Sequence, residues 1–269
     1  MKRITVFLMI AGLTTTFVFG QKRETRSVSN FTGINASGTF DITVAKGDTE
    51  SLTVEAGDEV LPYVRSEVKD GVLELHMDKN APRKVRNKLH NLQAFVVMKD
   101  LDHISLLGAC TITVNELFTP KSFTGICNGS CTMAINVNTG QLSIKARGDG
   151  KMQIKAIVTG DTQINVSGSP NIQGELKTEK MKFISRGACK VDVSGSATDI
   201  IIDMSGSSNF DGGNFVVKTA TVISSGSNKI TVHATDDLNV NLSSASTVNY
   251  KGSPAITIKS NGGSNVNQI

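Results

Sequence analysis

The 269-residue sequence contains no tryptophan, two tyrosines and five prolines, and aromatic residues make up 5% of it. Strong stacking platforms for sugars, which rest on Trp and Tyr, are therefore excluded as its main binding device. Ala, Leu and Glu never recur at helical spacing over a length that would support a bundle. An excess of one charge is missing too. The formal net charge of +4 includes Lys2 and Arg3, and without them 26 basic residues face 24 acidic ones, a balance that argues against nucleic-acid binding. Beyond the first twenty residues no apolar run approaches the roughly 18 residues of a membrane span. What is plentiful is glycine, 25 residues set among Ser, Thr and Asn. Val, Ile and Leu recur often enough to exclude a disordered chain, and the composition is that of a β-rich, turn-rich fold.

Lys2 and Arg3 precede an uncharged run from Ile4 to Phe19, with Val18 and Gly20 at the minus-three and minus-one positions of a cut before Gln21. Residues 1–20 read as a secretory signal peptide, which predicts an exported protein, periplasmic or at the cell surface. No Cys follows the cut, so the usual lipoprotein anchor is not expected. One local charge cluster stands out: Lys79, Arg83, Lys84, Arg86, Lys88 and His90 crowd a short stretch with Pro82. It reads as a solvated loop, with polyanion contact as the alternative.

From residue 108 a small-residue corner recurs at spacings of 18 to 21 residues: Gly108-Ala109-Cys110, Gly129-Ser130-Cys131, Gly148-Asp149-Gly150, Gly168-Ser169-Pro170, Gly187-Ala188-Cys189, Gly206-Ser207-Ser208, Gly226-Ser227-Asn228, Ser244-Ala245-Ser246 and Gly262-Gly263-Ser264. Four residues after each corner stands an apolar residue: Ile112, Met133, Met152, Ile172, Val191, Phe210, Ile230, Val248 and Val266. Apolar and polar residues then alternate, as at Val114, Ile135, Ile154, Val193, Val232 and Tyr250, a column that Gly174 and Gly212 interrupt. A second alternation later in each repeat, such as Leu142-Ser143-Ile144 or Leu238-Asn239-Val240, adds another strand. A unit of about twenty residues cannot bury its own apolar face. Stacked at the inter-strand spacing of about 4.8 Å, such units bury a continuous column and pair their backbones above and below. The expected fold is all-β, a parallel β-helix over 104–269, preceded by a β-rich head over 21–103. In the head, Asp70-Gly71 reads as the turn of a hairpin between Val64–Lys69 and Val72–Met77.

The four cysteines, Cys110, Cys127, Cys131 and Cys189, allow three full pairings. Three of them share one position of the repeat, where small side chains fill a corner. Stacked parallel side chains rarely reach the disulfide dihedral, so the column reads as buried thiols, with a Cys110–Cys131 bridge as the alternative. The four His residues are scattered, and none stands at metal-ligand spacing from a Cys pair. Neither a metal nor a cofactor is expected.

Chemistry on a β-helix needs carboxylates converging on one outer face. The outward column one residue past each apolar anchor reads Thr113, Ala134, Gln153, Gln173, Asp192, Asp211, Thr231, Asn249 and Asn267. Asp192 and Asp211 would stack about 5 Å apart on adjacent coils, a separation that suits a retaining carboxylate pair or a weak Ca²⁺ site. No Arg, Lys or His joins that column to bind or protonate a substrate, so the two are solvated side chains first and catalytic candidates second. Gly125-Ile126-Cys127-Asn128-Gly129 mimics a nucleophile elbow but has no helix after it. Arg147-Gly148-Asp149 matches an integrin-type tripeptide at a position where repeats carry Gly anyway. Tyr63 and Tyr250 are the only tyrosines, and Tyr250 falls in an inward column.

The order and spacing of Phe31-x-Gly33-Ile34-Asn35-x-Ser37-Gly38-x-Phe40-Asp41-Ile42-x-Val44, Leu61-Pro62-Tyr63-Val64, Val68-Lys69-Asp70-Gly71-x-Leu73, Ala245-Ser246-x-Val248-x-Tyr250-x-Gly252-x-Pro254 and Gly263-Ser264-x-Val266 resemble the auto-transporter adhesin, head GIN domain family of exported Bacteroidetes proteins. The resemblance covers almost the whole chain after the leader, with Ser244 standing where the family's corner has Gly. It implies a right-handed parallel β-helix and an adhesin-like role at the cell surface, and it brings no catalytic residue. The resulting expectation is a non-enzymatic, exported surface protein presenting a rigid polar face to an unknown ligand, a glycan or an envelope protein. Oligomerisation stays open, and neither nucleic acid nor a membrane span is expected. The alternative is a polysaccharide lyase or hydrolase using Asp192 and Asp211, or a glycan-binding β-helix without turnover.

Overall fold

The computed structural model describes residues 21–87 and 92–269; the predicted leader, 1–20, and Lys88 and His90 of the basic cluster lie outside the described residues. The chain is a parallel β-solenoid of about nine turns. Between Ser122 and Gly187 each turn contributes two strands of seven or eight residues, one before and one after the small-residue corner, and these build two ladders. The ladder that follows the corner runs through Thr132–Thr139, Lys151–Val158 and Asn171–Lys177. The ladder that precedes it runs through Ser122–Gly129, Gln141–Gly148, Asp161–Gly168 and Lys180–Gly187. From Lys190 the strands become long enough to pass through two or more sides of a turn, as in Lys190–Gly206 and Asn209–Gly226.

Strand alternation places the predicted apolar column inside. Ile172 pairs with Val191, Val191 with Phe210, Phe210 with Ile230 and Ile230 with Val248, and each is at most 1% exposed. Where Gly212 interrupts the second inward column, the register slips between Asp192 and Ser194, forming a bulge. A side chain on Gly212 would run into the Phe210 ring, whose Cε1 lies 2.8 Å from the Cβ position. That ring stacks obliquely on Phe183 from the other ladder, with centroids 5.1 Å apart.

The corners have a sharper requirement. Gly108, Gly129, Gly148, Gly168, Gly187, Gly206, Gly226 and Gly262 all have positive φ. In each coil the corner glycine's carbonyl accepts the N–H of the residue after the next corner glycine, as from Ser130 to Gly108 at 2.8 Å and from Ser207 to Gly187 at 2.9 Å. That carbonyl occupies the place where a Cβ would stand: one on Gly206 would lie 2.1 Å from the Gly187 oxygen. Left-handed backbone and close approach thus coincide at one residue per turn, and only glycine meets both without strain. Ser244 takes the same corner at φ 81°.

The head uses the same corner at Gly38, φ 117°, which pairs with Gly108. Its order in space differs from its order in sequence. Gly33–Gly38 lies between Val72–Met77 and His103–Gly108, and Phe40–Lys46 lies between Leu92–Met98 and Thr111–Val114. The chain therefore writes an inner coil first, travels outward to build the end, and returns past its own beginning. Antiparallel strands close that end: Val64–Lys69 on Val72–Met77, Ser51–Gly57 on Leu92–Met98, and Gln21–Arg26 outermost. The Asp70-Gly71 hairpin turn is present, with φ of 51° and 76°. The basic stretch, expected as a loop, contains one helical turn, Arg83–Arg86, because Val85 and Ala81 are drawn into the core while Arg83, Lys84 and Arg86 face water. Head and solenoid share one hydrophobic core.

Two stability outcomes follow. Val191→Asp places an unpartnered carboxylate between Ile172 and Phe210 and lowers unfolding stability by several kcal/mol, while Asp192→Asn on the outer face changes it by less than about 0.5 kcal/mol. Ser244→Gly removes left-handed strain of about 1–2 kcal/mol against an entropic cost of about 0.5–1, a net gain of roughly 0.5–1 kcal/mol. Thermal or denaturant unfolding measures all three, and equal losses for Val191→Asp and Asp192→Asn would invert the inward and outward assignment.

Candidate functional site

On the ladder that follows the corner, two outward columns stand side by side. The first holds Ala134, Gln153, Gln173 and Asp192 in successive coils; the second holds Asn136, Lys155, Glu175 and Ser194 two residues further along each strand. Between them runs a trough of about 480 Å³, floored partly by the backbones of Ile135, Ile154 and Gly174. It crosses the strands, parallel to the solenoid axis, so that equivalent positions recur about every 4.8 Å. Lys155 Nζ lies 3.4 Å from Glu175 Oε2, an exposed pair that contributes little to stability but fixes a positive and a negative group on the wall. At the head end, Asn136 Nδ2 donates to the Asn115 carbonyl at 3.2 Å.

Asp192 lines the end of this trough, and Asp211 is its register partner on the next strand, outside the lining. Both are exposed. Asp211 Oδ1 accepts the Gly213 N–H at 3.0 Å across the bulge, which turns this carboxylate toward its own backbone. The cation absent from the Asp192 column is supplied by the neighbouring one: Lys155 reaches the same trough. Asn136, Lys155, Glu175 and Ser194 lie outside the single outward column legible in the sequence, and their common offset of two residues from Ala134, Gln153, Gln173 and Asp192 is the signal that marks them. Among the described residues no group of three or more His, Cys, Asp or Glu could hold a metal ion.

A second groove, about 470 Å³, lies on the far side of the Asn136–Lys155–Glu175 wall. It is more apolar, with Leu117 42% and Ile157 50% exposed at its rim. Of the other candidate motifs, Cys127 points into the core from the strand Ser122–Gly129, so no nucleophile is presented there. Arg147 and Asp149 are exposed on either side of the positive-φ Gly148 corner. Tyr63 and Tyr250 are half-buried.

The corner interior is a separate polar feature. All four cysteines are buried free thiols. Cys131 Sγ sits 3.5 Å from the carbonyls of Gly108 and Asn128. Burial pushes the Cys110 thiol up to about 11, and Cys127, hydrogen-bonded to Cys131 and desolvated, is pushed up further. Toward the other end hydroxyl and amide groups replace sulfur. Ser185 bridges Cys189 at 2.9 Å and Ser208 at 3.2 Å, Asn228 Oδ1 accepts the Ser208 N–H at 2.8 Å, and Asn228 Nδ2 donates to Ser224, which bonds Ser246 at 2.8 Å. These groups satisfy one another inside the solenoid and are not open to a ligand.

Fold and site together define a parallel β-solenoid with a polar trough along one outer face. The family model described as "Putative auto-transporter adhesin, head GIN domain" matches residues 30–158 and 143–254. The chain belongs to this family. Among solved structures, a putative adhesin from Parabacteroides merdae is similar at 16% identity and TM-score 0.69, covering 94% of this chain and 97% of its own. A putative adhesin from Parabacteroides distasonis shares 20% identity at TM-score 0.69, covering 93% and 97%. A protein described as putative lipid binding, also from Parabacteroides distasonis, shares 18% identity at TM-score 0.64, covering 94% and 98%. These likenesses establish the fold. No curated protein matches the chain.

Because every thiol is enclosed, the native protein is expected to leave all four cysteines unmodified by a polar aromatic disulfide reagent over minutes, and to yield four equivalents once denatured. Rapid labelling of the native protein would show that the corner column opens to solvent.

Proposed function

We propose that the protein is an exported, non-catalytic surface module of adhesin-like function that holds an extended polar ligand, a glycan, along the trough of the post-corner ladder. The observation that carries this reading is the trough itself. It repeats amide, carboxylate and ammonium groups at the coil spacing on a backbone locked by pairing on both sides, so a chain of repeating hydroxyl-rich units meets donors and acceptors without ordering any loop. Family membership supports an adhesin-like surface role, and the leader expected over residues 1–20 supports export. Among the described residues no helix is long and apolar enough to cross a membrane. The apolar groove across the Lys155 wall would accommodate a glycan's lipid substituent, in keeping with the lipid-binding description of one structural neighbour.

The competing reading is a lyase or hydrolase. Asp192 and Asp211 side by side, with Lys155 in the same trough, favour it, and the proposed reading has them solvated and non-catalytic.

A glycan array on the purified protein, including lipidated glycans, tests the proposal. Gln173→Trp fills the trough and is expected to weaken binding of any array hit at least about tenfold, whereas Lys180→Ala on the opposite ladder leaves it unchanged. Both sites face water, so the melting temperature should hardly move. Hits indifferent to Gln173→Trp would remove the trough from the function. Turnover of a glycan that disappears in Asp192→Asn would establish the enzymatic reading instead.

A further inference from the structure

The corner glycines pair coil on coil from Gly148 to Gly226, which makes the corner a continuous ridge along the solenoid. The strands on its two sides carry a charge pattern of their own. On the post-corner side the first outward column reads Lys151, Asn171, Lys190, Asn209 and Lys229 in successive coils. All five side chains are exposed. A cation thus stands in every second coil, and two coils of about 4.8 Å each set the lysines about 10 Å apart along one line. From Thr111 to Asn265 this column contains no carboxylate. Among the described residues none of the three lysines enters an ion pair.

The pre-corner side repeats the alternation independently and in the same coils, as Arg147, Ser167, Arg186 and Ser205. The coil of Arg147 carries Lys151 and that of Arg186 carries Lys190, while the coils between them present Ser and Asn. Arg186 is already held by Asp203 at 2.9 Å, so the free charge of the ridge is that of Arg147 and the three lysines. Asp149, exposed at the corner between Arg147 and Lys151, opposes them in one coil. Asp192 and Asp211 stand one column further along their strands, and Asp211 is turned to the Gly213 N–H.

We propose that this ridge binds a linear anionic polysaccharide with one anionic group per disaccharide, laid along the solenoid axis with its charges on Lys151, Lys190 and Lys229 and its hydroxyls on Asn171 and Asn209. The disaccharide repeat of an extended glycan is close in length to two coils, so charge meets charge and hydroxyl meets amide in the same period. Duplex DNA, with a phosphate about every 3.4 Å along each strand, does not share that period. Backbone pairing fixes the spacing of the cations, so no loop has to be ordered when the polymer binds. The ridge is separate from the trough, whose nearer wall is the next column along the strand, and it stands whether or not the trough takes a glycan.

Hyaluronan, which carries one carboxylate per disaccharide, is the probe, with neutral dextran and duplex DNA as references; its affinity for the purified protein is measured at about 0.01 and 0.15 M salt. The expected result is binding of hyaluronan that weakens as salt rises, and none of dextran. Lys151→Gln, Lys190→Gln and Lys229→Gln together should weaken it at least about tenfold, and Asp149→Asn should tighten it severalfold. Asn171→Lys combined with Lys190→Asn keeps the net charge but turns the even two-coil spacing into one coil and three, and should weaken binding severalfold. All these positions face water, and unchanged circular-dichroism melting verifies that each variant is folded. Absence of hyaluronan binding overturns the proposal. So does dextran or duplex DNA bound as tightly as hyaluronan at the higher salt, or an affinity indifferent to the exchange of Asn171 and Lys190.

Discussion

Everything in this molecule depends on one carbonyl per turn. The corner glycine of each coil accepts a hydrogen bond from the coil above through an oxygen that fills the space a Cβ would need. Because that oxygen also fixes the height of the next coil, the corners hold the two ladders in register, and register decides which face every other side chain occupies. A slip of one residue would move Ile172, Val191, Phe210 and Ile230 to water and Gln173, Asp192, Asp211 and Thr231 to the core. The trough is therefore a by-product of the corner: its walls are aligned because the glycines are.

The repeating part of the fold was legible in the sequence because its cause is local. Positive φ and close backbone approach select glycine, and the alternating strand that follows needs no information from elsewhere. Cys110, Cys131, Cys189 and Ser208 share one small-residue column for the same reason. What stacks on what in the head was not legible. Gly33–Gly38 carries the same corner as the rest, but nothing in its composition tells that a coil written later, Val72–Met77 with Leu92–Met98, lies outside it. The turn at Arg83–Arg86 was hidden by its charges, since its formation rests on two small apolar residues, Ala81 and Val85, reaching a core that the sequence does not locate. The trough was half legible. Gln153, Gln173 and Asp192 form one outward column in the sequence, but a concavity belongs to two columns and the backbone between them. Lys155 and Glu175 therefore came into view only in three dimensions.

The interior of the corner changes chemistry along the axis, from thiols near the head to a hydrogen-bonded series of Ser, Cys and Asn beyond Ser185. Both fillings solve the same steric problem. Thiols do so as small apolar groups with weak donors to nearby carbonyls, while the hydroxyl and amide groups must satisfy each other completely to avoid a penalty. The second arrangement is the more specific, because Asn228 uses both its oxygen and its nitrogen and tolerates only one spacing between coils.

The re-entrant head also sets the sequence separations that its contacts must span. The inner coil gains its neighbour on one side only through contacts such as Gly38 with Gly108 and the Lys46 N–H with the Glu116 carboxylate 70 residues away. Closing a loop of that length is an entropic toll levied once, at the outset. A chain emerging from its N-terminus cannot complete this coil until the segment through Val114 is available. Each later coil adds to a finished template some twenty residues back, a short-range step. Long-range loop closure is thus concentrated in the head, and each coil beyond it closes over a loop of about twenty residues.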